Sequence, residues 1–355
     1  MGGDGSVGSI AQAVRERLAA VEKQATDAVD AATARARTTA ADLGPGATPD
    51  MAGADLRAAL DKARQGAKAE ERALWRAVDP EGNLALEARN TATGARDILA
   101  EMPATAKPAG PEEAAIFTAA RSLGDVAPFS EMTALQSRVK AEMRAERFAN
   151  GETPAYRRMT MLNDSIQRDL DAVVARRVAE DAAAVNAGQK RAADTIGARL
   201  DAIALQPNFD QAALGRLNAA RGATRTRAET FDNKPLGPLL RRAGGGTTPY
   251  DVPVSAVAPR IFSGTPKSLD AVRAYRQAVG DETALRSLEG YAVDRLRRSA
   301  LRDDLTLDPT KVAAWRRQHS DVLRAFPDLD ARINEAALSS DALAAAIAAR
   351  KETLA

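Results

Sequence analysis

Arginine is the chemically active residue type that clusters most densely in this sequence. Guanidinium groups bind phosphate through charge and paired N–H donors, so such a cluster could contact the DNA backbone without reading its sequence. Aromatic residues are not interleaved with the arginines, which argues against stacking on single strands. We therefore treat the cluster as a candidate DNA-phosphate contact, with a solvated helix face as the alternative. Its six members are Arg216, Arg221, Arg225, Arg227, Arg241 and Arg242, and a second basic stretch contains Arg295, Arg297, Arg298 and Arg302.

Nucleophilic and metal chemistry is limited by the supply of residues. The chain has no cysteine and a single histidine, His319, which excludes disulfides, thiolate sites and multi-histidine metal sites. A catalytic histidine needs a nucleophile or carboxylate oriented against it, and no sequence signature supplies one. We expect a surface or helix-end role for His319.

Four glutamates on or near one helical segment could in principle include a general acid: Glu131, Glu142, Glu146 and Glu152. Ordinary glycoside hydrolysis requires two carboxylates roughly 5–10 Å apart. Glutamates on an amphipathic helix are usually solvated and paired with arginine, so we expect that arrangement instead.

Two loops are weak matches to binding motifs. The segment 303–308 places three carboxylates between helices, but it lacks the central glycine and the closing glutamate of a calcium loop. We expect Asp308 to cap a helix there. The segment 244–248 is Gly-rich but lacks the lysine of a phosphate loop, so we interpret it as linker. The sequence thus predicts no catalytic residue, no cofactor and no metal site.

Composition indicates what kind of elements carry these residues. The chain has 355 residues, of which 80 are alanine and only 4% are aromatic. Alanine favours helix and buries little area, so thin, closely approaching helices are expected. Fifty basic and 48 acidic residues give a net charge of +2, whereas nucleic-acid binders usually carry a clear basic excess. Neither a secretory signal nor a stretch of 18 apolar residues is visible, so we expect a soluble protein.

Apolar spacing and turn residues predict an all-α fold of long antiparallel helical hairpins or a bundle, followed by a small C-terminal four-helix module. The predicted regions are a disordered N-terminus (1–8), a helical hairpin (9–78), an elongated helical bundle (79–229), a Pro/Gly-rich linker (230–264) and a C-terminal helical module (265–355). Within the hairpin a coiled-coil-like seam is formed by Ile10, Val14, Leu18, Val21, Ala25 and Val29.

Local signals also predict individual helices. In the bundle these cover about 84–101, 112–122, 130–150, 154–186, 190–205 and 209–229. Within the linker, Val252, Val254 and Val257 predict a short strand. The C-terminal module has core candidates Val272, Tyr275, Leu285, Leu288, Tyr291, Leu296, Val312, Trp315, Leu323, Phe326 and Ile333.

Two parts of the sequence resemble a known class of proteins. One includes ALWRAVDPEGNLAL (73–86), PFSEMTALQSRV (128–139) and NGETPAYRR (150–158). The other includes AVRAYRQAVG (271–280), LDPTKVAAWRRQH (307–319) and LRAFP (323–327). They resemble large, Ala-rich helical internal virion or DNA-ejection-type proteins of podovirus-like phages and prophages of alphaproteobacteria. Some of those proteins carry a lytic transglycosylase domain, but its Glu-Ser motif is not found here.

The resemblance implies a non-enzymatic structural protein of a phage particle, made in the bacterial cytoplasm and located in the virion. It would assemble with copies of itself and with other virion proteins through long helical faces. One alternative is a host helical adaptor or DNA-contacting module, and another is a fragment of a peptidoglycan-hydrolysing virion protein. We expect no small-molecule substrate and no integral membrane span.

Overall fold

Helices dominate the computed structural model, which describes residues 4–102, 110–187, 207–242 and 249–354. Of the described residues 79% are helical, which confirms the all-α prediction. In chain order the first elements are α1 (Asp4–Ala41), α2 (Pro49–Val78), β1 (Ala85–Glu87), α3 (Arg89–Ala100), α4 (Pro111–Ser122), β2 (Val126–Pro128), α5 (Phe129–Asn150) and α6 (Pro154–Ala187). They are followed by α7 (Gln211–Phe231), α8 (Gly237–Leu240), a 3-10 helix (Val254–Ala256), α9 (Val257–Ile261), α10 (Lys267–Val279), α11 (Asp281–Ala300), α12 (Pro309–Gln318), α13 (Ser320–Leu323) and α14 (Pro327–Leu354).

The chain divides into two units whose boundaries differ from the predicted regions. Unit 1 contains residues 1–67 and 226–355, and unit 2 contains residues 68–225. Both boundaries fall inside helices, α2 and α7, where no turn signal marks them. The predicted hairpin 9–78 and bundle 79–229 are therefore each split between units.

Unit 1 has its core around α10, α11 and α12, with α1, α2 and α14 packed against it. The predicted core of the C-terminal module is confirmed, since Tyr275, Leu288 and Phe326 are fully buried and Leu285 packs at the edge. Asp308 accepts a hydrogen bond from the Lys311 amide at 3.1 Å and caps α12, as predicted.

The segment 230–264 is not the extended linker that its prolines and glycines suggested. Its apolar side chains are buried in the core of unit 1, among them Leu236, Leu239, Val252, Ile261 and Phe262. The predicted strand is wrong, because Val254 and Val257 lie in short helices. Proline and glycine interrupt regular structure here without preventing burial.

Helix α1 packs along α14 rather than along α2, so the predicted hairpin of residues 9–78 is wrong. The connection between α1 and α2 is instead held on α11, where the Ala47 amide donates to the Gly290 carbonyl at 2.8 Å. The start of α2 is capped by Thr48, whose Oγ1 accepts from the Met51 amide at 3.3 Å. A turn signal shows that two helices are separate but does not show which helix each will pack on.

Unit 2 is built on the packing of α6 against α3 and α5. Strands β1 and β2 form a two-stranded antiparallel sheet with Leu86 opposite Ala127. The predicted helix over 84–101 therefore begins only at Arg89, after β1. Helices α4, α5, α6 and α7 match their predicted positions within a few residues.

Three predictions lie wholly or partly outside the described residues. These are the helix over 190–205, the Gly-rich segment 244–248 and the start of the disordered N-terminus. Within the N-terminal prediction, residues 4–8 are helical and belong to α1. Among the described residues no helix is long and apolar enough to span a membrane.

Candidate assembly surface and the predicted arginine contacts

The N-terminal half of α1 presents apolar side chains to solvent. Val14 and Leu18 are each 61% exposed and Val21 is 39% exposed. Their spacing of four and three residues places them on one face of the helix. We refer to these three residues as the open stripe.

The open stripe continues the face that α1 buries in its C-terminal half. Moving towards the C-terminus, the same face carries the half-buried Ala25 and Val29 and then the buried Ala36 and Leu43. One seam therefore runs along α1, covered at one end and uncovered at the other.

Helix α14 covers the seam and runs antiparallel to α1. Near the start of α14, Arg332 donates from Nη1 to the carbonyl of Leu43, which follows the end of α1, at 3.1 Å. The other terminal nitrogen of that guanidinium, Nη2, forms an ion pair with the carboxylate of Glu289 at 2.7 Å. At the helical rise of about 1.5 Å per residue, Leu354 at the end of α14 lies level with about Val21. Between that point and Gln12 the described side chains of α1 are exposed.

Three of the six predicted arginines belong to unit 2, and two of them have structural partners. Arg216 donates from Nε to the Val78 carbonyl at 3.3 Å, at the end of α2. Arg221 forms an ion pair with Asp171 at 2.9 Å. Arg225 is exposed, and the described part of the chain holds no ion pair or hydrogen bond to its guanidinium.

The other three belong to unit 1. Arg227 pairs with Asp232 at 3.2 Å, and Arg241 lies 3.9 Å from Asp251. Arg242 lies over the ring of Tyr250, 4.0 Å from its centroid, and donates to its hydroxyl at 2.6 Å. The arrangement thus places the six residues in two units and gives most of them acidic or aromatic neighbours.

The ring of Tyr250 has a second guanidinium near it. Arg57 is buried, lies 4.2 Å from the same centroid and donates to the Val252 carbonyl at 2.5 Å. The Tyr250 hydroxyl donates to Asp61, which also pairs with Arg64. Desolvation lowers the pKa of Arg57. This cluster joins the segment after α8 to α2, and sequence spacing gave no signal for it.

The second basic stretch is also used within unit 1. Arg297 donates to the Ala40 carbonyl at 3.1 Å, Arg298 pairs with Asp294 at 2.9 Å, and Arg302 pairs with Asp308 at 3.1 Å. These contacts favour a structural role for the stretch.

His319 occupies a buried aromatic cluster instead of the expected surface position. Only 1% of its surface is exposed, and its ring stacks on Trp315 with centroids 4.2 Å apart and on Phe262 at 5.6 Å. Its position at the end of α12 matches the predicted helix-end role. Burial lowers the pKa of His319 below its ordinary value, which favours the neutral ring. With aromatic neighbours on its faces, this histidine fills the core.

Two of the four glutamates proposed as a general acid are engaged in local contacts. Glu146 accepts a hydrogen bond from Thr153 Oγ1 at 2.6 Å, and this hydrogen bond lowers the pKa of the Glu146 carboxyl. Glu152 pairs with Arg147 at 3.2 Å. Burial, followed by the charge of Glu112, raises the pKa of Glu142. Glu131 is exposed in the first turn of α5.

The acidic loop 303–308 also has a local explanation. Asp304 accepts from the amide and hydroxyl of Thr306 at 3.0 and 2.6 Å, while Asp308 caps α12. In the described part of the chain no group of three or more His, Cys, Asp or Glu residues could hold a metal ion.

Unit 2 contains buried charges that the sequence did not single out. The carboxylate of Asp169 accepts from the amide and side chain of both Asn90 and Thr91, at 2.7–3.1 Å. Arg158 pairs with the buried Glu113 at 2.7 Å. Asp169 satisfies the first amides of α3 from a different helix, so the pairing has no local sequence signature.

Comparisons with protein-family models, curated proteins and solved structures find no match to this chain.

Proposed function

We propose that this chain is a non-enzymatic structural protein of a phage particle, an internal or DNA-ejection-type component that assembles through its long helical faces. The resemblance of its sequence to Ala-rich virion proteins supports the setting. The helical architecture supports the mode of assembly, because it offers long helix faces.

The observation that carries the proposal is the open stripe on α1. Val14, Leu18 and Val21 lie on a seam that the protein covers only in its other half. A contiguous apolar face that continues a packed interface is typical of a protein that has a partner. A structural component that assembles with copies of itself or with other virion proteins supplies such a partner.

Alanine-rich packing suits a protein that must leave a particle through a narrow channel. The covered part of the seam presents Ala36 and Ala40, which bury little area per residue. Separating such helices costs less than separating helices joined by large side chains. The chain also has no cysteine, so no disulfide would need to be broken before passage.

The proposal is tested by mass spectrometry of purified particles from the phage or prophage that encodes the chain, before and after triggered DNA release. We expect the protein in intact particles and its depletion from emptied ones. A capsid protein quantified in the same samples serves as the control for recovery. Absence from intact particles would refute the proposed function.

A DNA-contacting module is the second candidate, and the exposed Arg225 favours it. Replacing Arg225 with alanine should then weaken duplex binding uniformly across sequences and lower the salt dependence by about one phosphate contact. Arg221→Ala is the matched control, because Arg221 already pairs with Asp171. This candidate is eliminated if the chain does not bind duplex DNA at low salt, or if Arg225→Ala binds duplex DNA as the unaltered chain does.

A further inference from the structure

We propose that a cavity in unit 2, lined by residues of α2, α5 and α7, binds one nucleoside monophosphate whose base donates a hydrogen bond. The volume of the cavity is about 480 Å³, and all of its lining residues belong to unit 2. Small-molecule sites usually have volumes of roughly 300–1,000 Å³. Such binding is a property beyond the proposed structural role and does not depend on it. Because the lining comes from three helices, sequence spacing gave no signal for this site.

One wall of the cavity is the indole of Trp75, which its neighbours hold in place. Its Nε1 donates to Thr224 Oγ1 at 3.0 Å, and the Thr224 hydroxyl donates to Glu71 at 2.7 Å. The ring stacks on Phe129 with an interplanar angle of 15° and centroids 6.5 Å apart. Trp75 is half-buried, so part of the fixed ring is open to the cavity that it lines. A nucleobase is flat and stacks on an aromatic surface of this kind.

A chain of hydrogen bonds orients a buried amide beside this wall. Gln136 is only 8% exposed, and its Nε2 donates to Gln167 Oε1 at 3.0 Å. Gln167 in turn donates from Nε2 to Asp171 at 3.0 Å. An ionised carboxylate can only accept, so Asp171 fixes the direction of the whole chain. The oxygen of Gln136 is therefore the end of its amide that remains for another partner.

This oxygen is the hydrogen-bond acceptor that the cavity offers. Gln136 lines the cavity and Gln167 does not, so the Nε2 end of the Gln136 amide points away and the Oε1 end is left on the cavity side. The described part of the chain holds no donor to this oxygen. A buried acceptor without a donor costs free energy, which an N–H of a bound base would recover.

Positive charge lies at the same cavity. Arg76 on α2 and Lys140 on α5 both line it and are exposed, and neither forms an ion pair with the described residues. The carboxylate among the described lining residues, Glu71, already accepts the hydrogen bond of Thr224. Two cations against one carboxylate favour an anionic group, and both side chains are common phosphate ligands.

Lys140 in particular gains from a bound anion. Desolvation lowers the pKa of Lys140, the charge of Arg144 lowers this pKa further, and Glu71 acts in the opposite direction. A phosphate oxygen beside the ammonium would favour its charged form, so anion binding and the charging of Lys140 support each other.

The lining favours a free nucleotide over a nucleic-acid strand. Proteins that bind single strands stack successive bases on a series of aromatic side chains. This cavity presents the ring of Trp75, whereas Phe129 behind it is only 3% exposed. One base therefore finds a stacking surface and the next does not.

Isothermal titration calorimetry of the full chain with adenosine 5′-monophosphate (AMP) tests the site. We expect a dissociation constant below about 1 mM. Adenosine lacks the phosphate and ribose 5-phosphate lacks the base, so each should bind at least about tenfold more weakly. Purine riboside 5′-monophosphate keeps both parts but has no N–H on its base. It should also bind at least about tenfold more weakly than AMP, because Gln136 Oε1 then stays without a donor.

A pair of variants on α5 tests the charge. Lys140→Gln should raise the dissociation constant for AMP at least about tenfold, because it removes a cation from the cavity. The matched control is Arg138→Gln, which removes a positive charge from the same helix outside the cavity lining. Arg138 pairs with Glu112 at exposed positions, so its loss costs little stability. The control should bind AMP as the unaltered chain does, and circular dichroism should show both variants folded.

Four results overturn the proposed site. The first is the absence of AMP binding by the unaltered chain at millimolar concentrations. The second is equal binding of AMP and purine riboside 5′-monophosphate. The third is a Lys140→Gln variant that binds AMP like the unaltered chain or no worse than Arg138→Gln. The fourth is a short single strand of deoxyadenylates that binds at least about tenfold more tightly than AMP, since the ligand is then a strand.

Nucleotide binding and location in particles are measured separately. A protein found in particles that binds no nucleotide would refute the site alone. A protein that binds AMP as described but is absent from particles would refute the virion role alone.

Discussion

The contact between α3 and α6 in unit 2 and the contact between α1 and α14 in unit 1 are both close helix pairings, but they are held differently. At the first, Asp169 of α6 accepts four hydrogen bonds from Asn90 and Thr91, and Gly94 approaches Ser165. At the second, the buried face of α1 is formed mainly by alanines, and Arg332 supplies a polar link to the end of that helix.

The difference shows that one helix pair can be held in a single register, whereas another leaves one of its helices able to pack on a further partner. Buried hydrogen bonds have strict geometry and are costly to leave unmade, so Asp169 fixes one register between α3 and α6. Alanine faces have no such requirement, and past the end of α14 the seam of α1 continues with the larger apolar residues Val14 and Leu18. The same helix can therefore pack on α14 at one end and on another helix at its free end.

The largest expected effect is at Asp169. Asp169→Ala leaves the buried amide and hydroxyl of Thr91 without an acceptor, removes the bonds to Asn90, and should lower the free energy of unfolding by about 4 kcal/mol. Urea denaturation followed by circular dichroism measures this change. Asp164→Ala, on the exposed side of the same helix, should change it by less than about 0.5 kcal/mol. Equal effects would show that Asp169 does not fix the contact.

The close approach at Gly94 comes next. A Cβ at this position would overlap Ser165 Oγ and lie 2.9 Å from Ser165 Cβ. Gly94→Ala should therefore destabilise by about 2 kcal/mol in the same urea denaturation experiment, because α3 must move away from α6. Gly215→Ala in α7 has no atom within 4 Å of the new Cβ and should stabilise by about 0.5–1 kcal/mol. If both variants destabilise the protein, the loss of stability does not come from the close approach of α3 to α6 at Gly94.

The alanine seam is tested at Ala36, which is fully buried in α1. Ala36→Leu should destabilise by about 1–2 kcal/mol, less than Gly94→Ala, because a seam without buried hydrogen bonds can adjust. Ala34→Leu, on the exposed face, should have an effect below about 0.5 kcal/mol. Hydrogen exchange of α1 and α14 peptides should rise in the first variant only. A larger loss of stability for Ala36→Leu than for Gly94→Ala would show that the α1–α14 contact adjusts less readily than the α3–α6 contact.

The smallest effect is expected at the polar link of the seam. Arg332→Ala removes the hydrogen bond to the Leu43 carbonyl and the ion pair with Glu289, both half-exposed, and should cost about 1 kcal/mol or less. Thermal unfolding compares it with Arg286→Ala, which breaks a more exposed pair with Glu282 and should have no measurable effect. A loss comparable to that of Asp169→Ala would show that α1 and α14 are also fixed by polar contacts.

Local chemistry made several helices predictable. Asp308 and Pro309 specify the start of α12, and Gly151 and Gly280 adopt positive φ angles of 80° and 88° where α5 and α10 end. These signals act over a few residues, which is why they appear in the sequence. The open stripe was also visible there as apolar spacing, although not as a surface.

Long-range choices were not predictable in the same way. The strands β1 and β2 have three residues each. They are stabilised by their pairing with each other and by the residues around them, and not by a local sequence pattern. Burial of His319 depends on Phe262, which comes from a segment interpreted as linker. The six arginines lie close in sequence, yet partners such as Asp171 and Tyr250 come from outside the stretch.

The sequence by itself determined that the chain is helical, where most of its helices begin and end, and that α1 carries a continuous apolar seam. Apolar periodicity and helix capping are local properties, so the amino-acid sequence alone contains them. Only the tertiary structure decided that α14 covers this seam, that it stops near Val21, and that Asp169 fixes α3 on α6. Those outcomes depend on which distant segments gain most from mutual burial, and apolar faces of similar composition do not specify that choice locally.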